Sequence, residues 1–119
     1  MPSILLVEDH PDMRSLLSDL LELGGYQVLT GRTGNEGLQA LKAAESLPEA
    51  VISDLNMPQM DGLSLFDAIR TNPAWNPIRL ILMSADPHDE RLLTAEQHGV
   101  DALIPKPFSI QQLQDILQD

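Results

Sequence analysis

Five short aliphatic runs, each stopping on polar or turn-forming residues, alternate along the chain with five stretches whose apolar residues recur at helical spacing. SILLVED, residues 3–9, is continuous in aliphatic side chains until two acids end it, as expected of a strand covered on both faces of a parallel sheet. Pro11 suits a first helical position; Met13, Leu16, Leu17, Leu20 and Leu21 then mark one helix face, and Gly24-Gly25 closes it. YQVLTG, residues 26–31, predicts a second strand, and Thr33 with Glu36 forms a capping box for a helix running to about Ser46, with Leu38, Leu41 and Ala44 inside. AVISD supplies a third strand, and Leu65, Phe66 and Ile69 mark a third helix that stops near Asn72-Pro73. PAWNP, residues 73–77, reads as loop. IRLILMSA, residues 78–85, is the most apolar strand; Asp86 as cap and Pro87 at the first turn predict a fourth helix ending at Gly99, with a thin face of Leu92, Leu93 and Ala95. DALIP is a short fifth strand, and Ser109 with Gln112 caps a last helix whose Ile110, Leu113, Ile116 and Leu117 face inward.

That alternation predicts an α/β fold: a doubly wound five-stranded parallel sheet flanked by five helices and joined by right-handed crossovers. Periodicity leaves the strand order open. At 119 residues the chain fits one domain, residues 1–119, able to hide about two-thirds of its extended surface without disulfides. The absence of cysteine removes thiolate chemistry and Cys-ligated metals, no apolar run approaches the ~20 residues of a membrane helix, and no basic leader followed by an apolar segment is seen, so a cytoplasmic protein is expected. With 7 Lys plus Arg against 18 Asp plus Glu, the formal charge of -11 opposes direct binding to nucleic acid or to anionic membranes.

Chemistry enters at the strand ends. In α/β sheets the ligand crevice lies beyond the carboxyl ends of the strands, which places Glu8 and Asp9, Asp54, Ser84 and Lys106 along one edge. Asp54 also opens a turn-rich loop, NMPQMDG, and taken alone it reads foremost as a turn-initiating residue. As a set, however, these residues pose an electrostatic problem: two bare carboxylates ~4 Å apart repel by about 4 kcal/mol at an effective dielectric near 20. A cation must sit among them. Hard oxygen ligands suit Mg2+, beside which a carboxylate such as Asp54 can attack phosphorus to give an acyl phosphate while Lys106 offsets charge and Ser84 donates a hydrogen bond.

ED at the end of the first strand, SDLNMPQMDG, MSA and PKPF, in this order and each at a strand end, resemble the receiver domain of two-component response regulators over the whole chain. The resemblance implies a flavodoxin-like sheet of order 2-1-3-4-5. It implies that Asp54 is the phosphoacceptor, supplied by a histidine kinase or histidine phosphotransfer protein. Glu8, Asp9 and Asp54 would hold Mg2+ together with the backbone carbonyl of Asn56, Ser84 and Lys106 would sense the phosphoryl group, and Lys106-Pro107 would be cis. Such a chain is a signalling switch that catalyses only its own phosphorylation and dephosphorylation. Its output goes to an effector protein or output domain, or to a phosphorylation-dependent dimer, through the fourth helix, fifth strand and last helix. The family commonly carries Tyr or Phe where this chain has Leu103, so the aromatic relay is absent.

Two other classes stay on the page. A phosphorylation-independent docking module would keep the fold and signal by binding alone; a metal-dependent phosphatase lacks the expected DxD pair after the first strand. Among the remaining polar and aromatic residues, Asp86 reads foremost as a helix cap, with a second role near the attacking water compatible with it. His10, His88 and His98 read as isolated and exposed, Trp75 as a loop residue packed over the sheet edge, Met57 and Met60 as loop packing, and Asp61-Gly62 as a turn into the third helix.

Overall fold

In the computed structural model, which describes residues 2–118, the aliphatic runs become β1 (Ser3–Val7), β2 (Gln27–Gly31), β3 (Ala50–Asp54), β4 (Arg79–Ser84) and β5 (Ala102–Pro105). They form one parallel sheet in the order β2-β1-β3-β4-β5, the order implied by the resemblance. Met1 and Asp119 lie outside the described residues. The register sets Val7 beside Ser53 and Asp54 beside Met83, so the strands carry their terminal residues to one edge. Every residue of β3 is buried, as are Ile4 to Val7 of β1 and Leu80 to Met83 of β4, which explains why these strands read as unbroken apolar runs.

Alternate side chains feed two cores. Leu5, Val7, Val51, Leu80 and Leu82 join the core that receives α2 (Gly34–Ala43) and α3 (Gly62–Arg70), through Leu41, Leu65, Phe66 and Ile69. Ile4, Leu6, Ile52, Ile81 and Met83 join the other, which receives α1 (Pro11–Leu23) and α4 (Ile110–Gln118), through Leu17, Leu21 and Leu113. Two helices on each face make the sheet doubly wound. α1 buries a narrower stripe than its sequence implies: Leu16 is 51% exposed. α2 stops at Ala43, short of Ser46, because Ala44 is already extended at φ -69, ψ 131. Its box is shifted by one residue: Thr33 Oγ1 accepts the Glu36 N–H at 3.1 Å, while Glu36 reaches back to the N–H of Arg32 at 2.9 Å. The Ser109–Gln112 box is reciprocal, at 2.8 and 3.2 Å.

The fourth helical segment departs from expectation. It is a 3-10 helix over Glu90–His98 and begins well after Pro87. Asp86 does not cap it: its Oδ1 accepts the His88 N–H at 2.9 Å in a local turn, and Asp89 supplies the cap by accepting from the Arg91 N–H at 3.0 Å. Within the segment only Ala95 is buried, Leu92 packs at the margin, and Leu93 is 86% exposed, so there is little apolar stripe to hold α geometry. A 3-10 run of this length is uncommon. It ends, as the sequence indicates, at Gly99, whose φ of 83 is a left-handed conformation that glycine adopts freely. Residues Pro73–Trp75 form a short 3-10 turn that tucks Trp75 into the core. No helix among the described residues is long and apolar enough to cross a membrane.

Candidate functional site

Beyond Val7 the chain keeps one more rung of the β1–β2 ladder, the Glu8 N–H to Gly31 O at 3.0 Å, and the Glu8 carbonyl accepts from Arg14 of α1 at 2.9 Å. These bonds fix a carboxylate that is fully buried. Asp54, 7% exposed, closes β3; the Gly62 N–H then returns to Leu55 O at 3.0 Å, bringing the start of α3 against the end of that strand. Only glycine permits this approach, because a Cβ on Gly62 would lie 2.6 Å from the Asp54 carbonyl oxygen and 2.7 Å from Leu82 Cδ1. From the far side, the Lys106 N–H bonds Ser84 O at 3.1 Å, and the following peptide, Lys106-Pro107, is cis. The Lys106 ammonium donates to Glu8 Oε1 and Oε2 at 3.1 and 3.0 Å and to Asp54 Oδ2 at 2.8 Å.

The cation demanded by the clustered acids is thus present in the chain itself. A second fits beside it: one carboxylate oxygen from each of Glu8, Asp9 and Asp54 lies within 4.8 Å of the others. Three hard oxygen donors, with Asp9 partly open to solvent, suit Mg2+, which keeps several waters and takes few protein carboxylates. The Asn56 N–H lies 3.4 Å from Asp54 Oδ1, which orients the loop after Asp54.

The model of the response regulator receiver domain family matches residues 4–118. This chain belongs to that family. Over 116 residues it is 34% identical to a probable chemotaxis protein CheY of Rhizobium etli, covering 97% of this chain and 88% of that one. It is 33% identical over 112 residues to the nitrate/nitrite response regulator protein NarL of Escherichia coli, covering 93% of this chain but only 50% of that protein. Among solved structures, the receiver domain of a sensor histidine kinase from Pseudomonas aeruginosa, with a magnesium ion coordinated in its active site cleft, superposes with a TM-score of 0.84 at 30% identity over 98% of this chain and 94% of that one.

Within this receiver domain the expected residues are not all in mutual contact. Glu8, Asp54 and Lys106 meet directly, and Asp9 joins them as an oxygen donor. Ser84 stands at the same edge, but its hydroxyl donates to Asp86 O at 2.9 Å and accepts from the Asp86 N–H at 3.2 Å, so it is engaged locally. Leu103, in the place of the usual aromatic, is 48% exposed and lines a shallow apolar groove of about 260 Å3 with Ser84, Leu92 and Ile104. His10 touches the site only through its main chain, whose N–H reaches Glu8 Oε1 at 3.3 Å. His98 is not isolated: its Nδ1 lies 2.8 Å from Asp67 Oδ1, linking the 3-10 segment to α3. The residue missed altogether is Arg91, which reaches from the 3-10 segment to the Asn56 side chain. A lone arginine in a polar helical stretch carries no signal of that contact.

Burial sets the electrostatics. Desolvation raises the Glu8 pKa; the Lys106 hydrogen bond pulls it down, the charge of Asp54 pushes it up again, and the net position is above the ordinary glutamate value of 4.5. Burial works against the charge on Lys106 too, but hydrogen bonds to Asp54 and Glu8 outweigh it and raise the lysine pKa. A carboxyl that holds its proton more tightly folded than unfolded favours the native state at low pH, and that contribution is lost as pH rises from 4.5 through the raised folded value. With a chelator present, the thermal midpoint should therefore fall across this window, and Glu8→Gln should flatten the fall; an unchanged slope in thermal unfolding followed against pH would contradict it.

Proposed function

We propose that this receiver domain is a phosphorylation-operated switch with Asp54 as the phosphoacceptor. The observation carrying the proposal is the Lys106 ammonium seated between the buried carboxylates of Glu8 and Asp54, at the carboxyl edge of the sheet. This arrangement keeps a cation next to the carboxylate oxygen that attacks. An oxygen of Asp54 adds to the phosphorus of a phosphohistidine on a histidine kinase or phosphotransfer protein; the P–N bond breaks, its electron pair leaves with the imidazole, and an acyl phosphate remains. Lys106 then faces the new dianion, and Ser84 can exchange its bond to the Asp86 main chain for one to a phosphoryl oxygen. Glu8, Asp9, Asp54 and the Asn56 carbonyl would hold Mg2+, which supplies charge neutralisation and orientation for the transferring group.

The domain occupies residues 1–119, acts in the cytoplasm, turns over no outside substrate, and passes its signal to an effector or output domain through the 3-10 segment, β5 and α4. Incubation with Mg2+ and a small phosphodonor should place one phosphoryl group per chain, and excess chelator should prevent it. A chain that takes no label and binds no Mg2+ would instead be a docking module that signals by binding alone.

A further inference from the structure

Next to Asp54, bounded by its neighbour Asp9, is a cleft of about 310 Å3 lined by Asp9, Asn56, Met57, Pro58, Asp61 and Arg91. Arg91 is the one basic residue in that lining. Its guanidinium is tied down on three sides. Asp89, the cap of its own segment, receives Nε at 3.1 Å and Nη2 at 2.7 Å. Asp61, the cap of α3, stands 3.7 Å from Nη1. The third tie is the hydrogen bond from Nη2 to Asn56 Oδ1, across 35 positions of sequence.

That last contact fixes more than a distance. A guanidinium has donors and no acceptor, so the Asn56 amide must turn its oxygen toward Arg91. Asn56 follows the acceptor by two residues, and its main-chain N–H leans on Asp54 Oδ1 at 3.4 Å. Asp89 restrains the arginine from below, so the fork arrives at Asn56 preorganised, with little side-chain freedom left to lose. The Asn56 side chain is otherwise exposed, and it lines the cleft together with Asp9, whose carboxylate neighbours that of Asp54.

Resting on the reading of Asp54 as the acceptor, we propose that Arg91 is a positioning residue: it holds the Asn56 amide across the mouth of the cleft and thereby lengthens the life of the acyl phosphate. The step it restrains is hydrolysis. A water oxygen attacks phosphorus, the bond from the Asp54 oxygen to phosphorus breaks with its electron pair returning to the carboxylate, and inorganic phosphate leaves with a water proton lost to solvent. A pinned amide narrows the approach of that water; a freed one opens it. Because Arg91 belongs to the 3-10 segment, the position of that segment and the lifetime of the phosphoryl group become linked through one side chain.

The test is a double-mutant cycle on the chain loaded with Mg2+ and acetyl phosphate, then stripped of donor and followed for loss of label. Arg91→Ala should speed the loss by about fivefold, the scale of one hydrogen bond of ordinary net strength. Asn56→Ala should do much the same, and adding Arg91→Ala to Asn56→Ala should change the rate by less than about twofold. A merely structural role would move thermal stability but not produce this coupling. An unchanged lifetime in Arg91→Ala, or an effect of equal size in both backgrounds, overturns the proposal. So does a side-chain amide resonance of Asn56 that Arg91→Ala leaves in place in the unphosphorylated protein, a measurement that needs no label. A wild-type chain that takes no label overturns the acceptor reading itself, and this proposal with it.

Discussion

Asp54→Asn should lower phosphoryl incorporation by more than about 100-fold while leaving the fold intact. The carboxylamide has nearly the shape of the carboxylate but no anionic oxygen to attack phosphorus, so the loss is chemical and not steric. Stability should not suffer. Asp54 and Glu8 are both buried and share one ammonium, and removing one negative charge relieves their mutual repulsion while Lys106 keeps both contacts to Glu8. The check is quantitative labelling by intact-mass measurement beside a thermal melt. Incorporation at the wild-type level would mean that another nucleophile at this edge, with the Ser84 hydroxyl the nearest kind, had been taking the phosphoryl group.

Lys106→Met should have the largest effect on stability. The Lys106 side chain is 14% exposed and those of Glu8 and Asp54 are 0% and 10% exposed, so the mutant leaves two buried carboxylates with no ammonium between them. Breaking a buried ion pair from one side costs about 3 kcal/mol, which the chelated protein should show in denaturant unfolding at neutral pH. The sign against pH is fixed by Glu8, whose pKa is already raised and loses its hydrogen bond from Lys106. Protonation relieves the mutant more than the wild type, so the deficit should shrink as pH falls toward 4.5. Labelling should slow by about 100-fold as well, since the cation facing the transferred group is gone. Equal stability of mutant and wild type at both ends of this range would show that the ammonium is not what balances the acids.

Much of this was legible because the information is local. A strand buried on both faces must be apolar throughout, so Ile4 to Val7 and Leu80 to Met83 announce themselves, and the first polar residue beyond each run falls at the sheet edge where ligands gather. Thr33 and Ser109 mark helix starts because their caps are satisfied within three residues. The fourth helical segment was misread for the complementary reason. Asp86-Pro87 has the chemistry of a helix start, but the nearer N–H of His88 takes the carboxylate, and the helix waits for Asp89. Leu93 looks like a core residue by spacing and faces solvent because 3-10 winding sets a different period. The pairs Arg91–Asn56 and His98–Asp67 span 35 and 31 positions, and only the packing of the 3-10 segment against the edge of α3 and its loop brings them together.

The winding of Glu90–His98 has a mechanical meaning. Nine residues at about 2.0 Å of rise make a rod of about 18 Å, while the same nine as an α-helix would make one of about 13.5 Å. Each residue would also turn through about 100° instead of about 120°, so the exposed Leu93 would swing to a new bearing relative to Ala95 and Leu92. Rewinding Glu90–His98 as an α-helix would therefore shorten the segment by about 4.5 Å and re-aim its exposed side chains while the sheet beneath stays as it is.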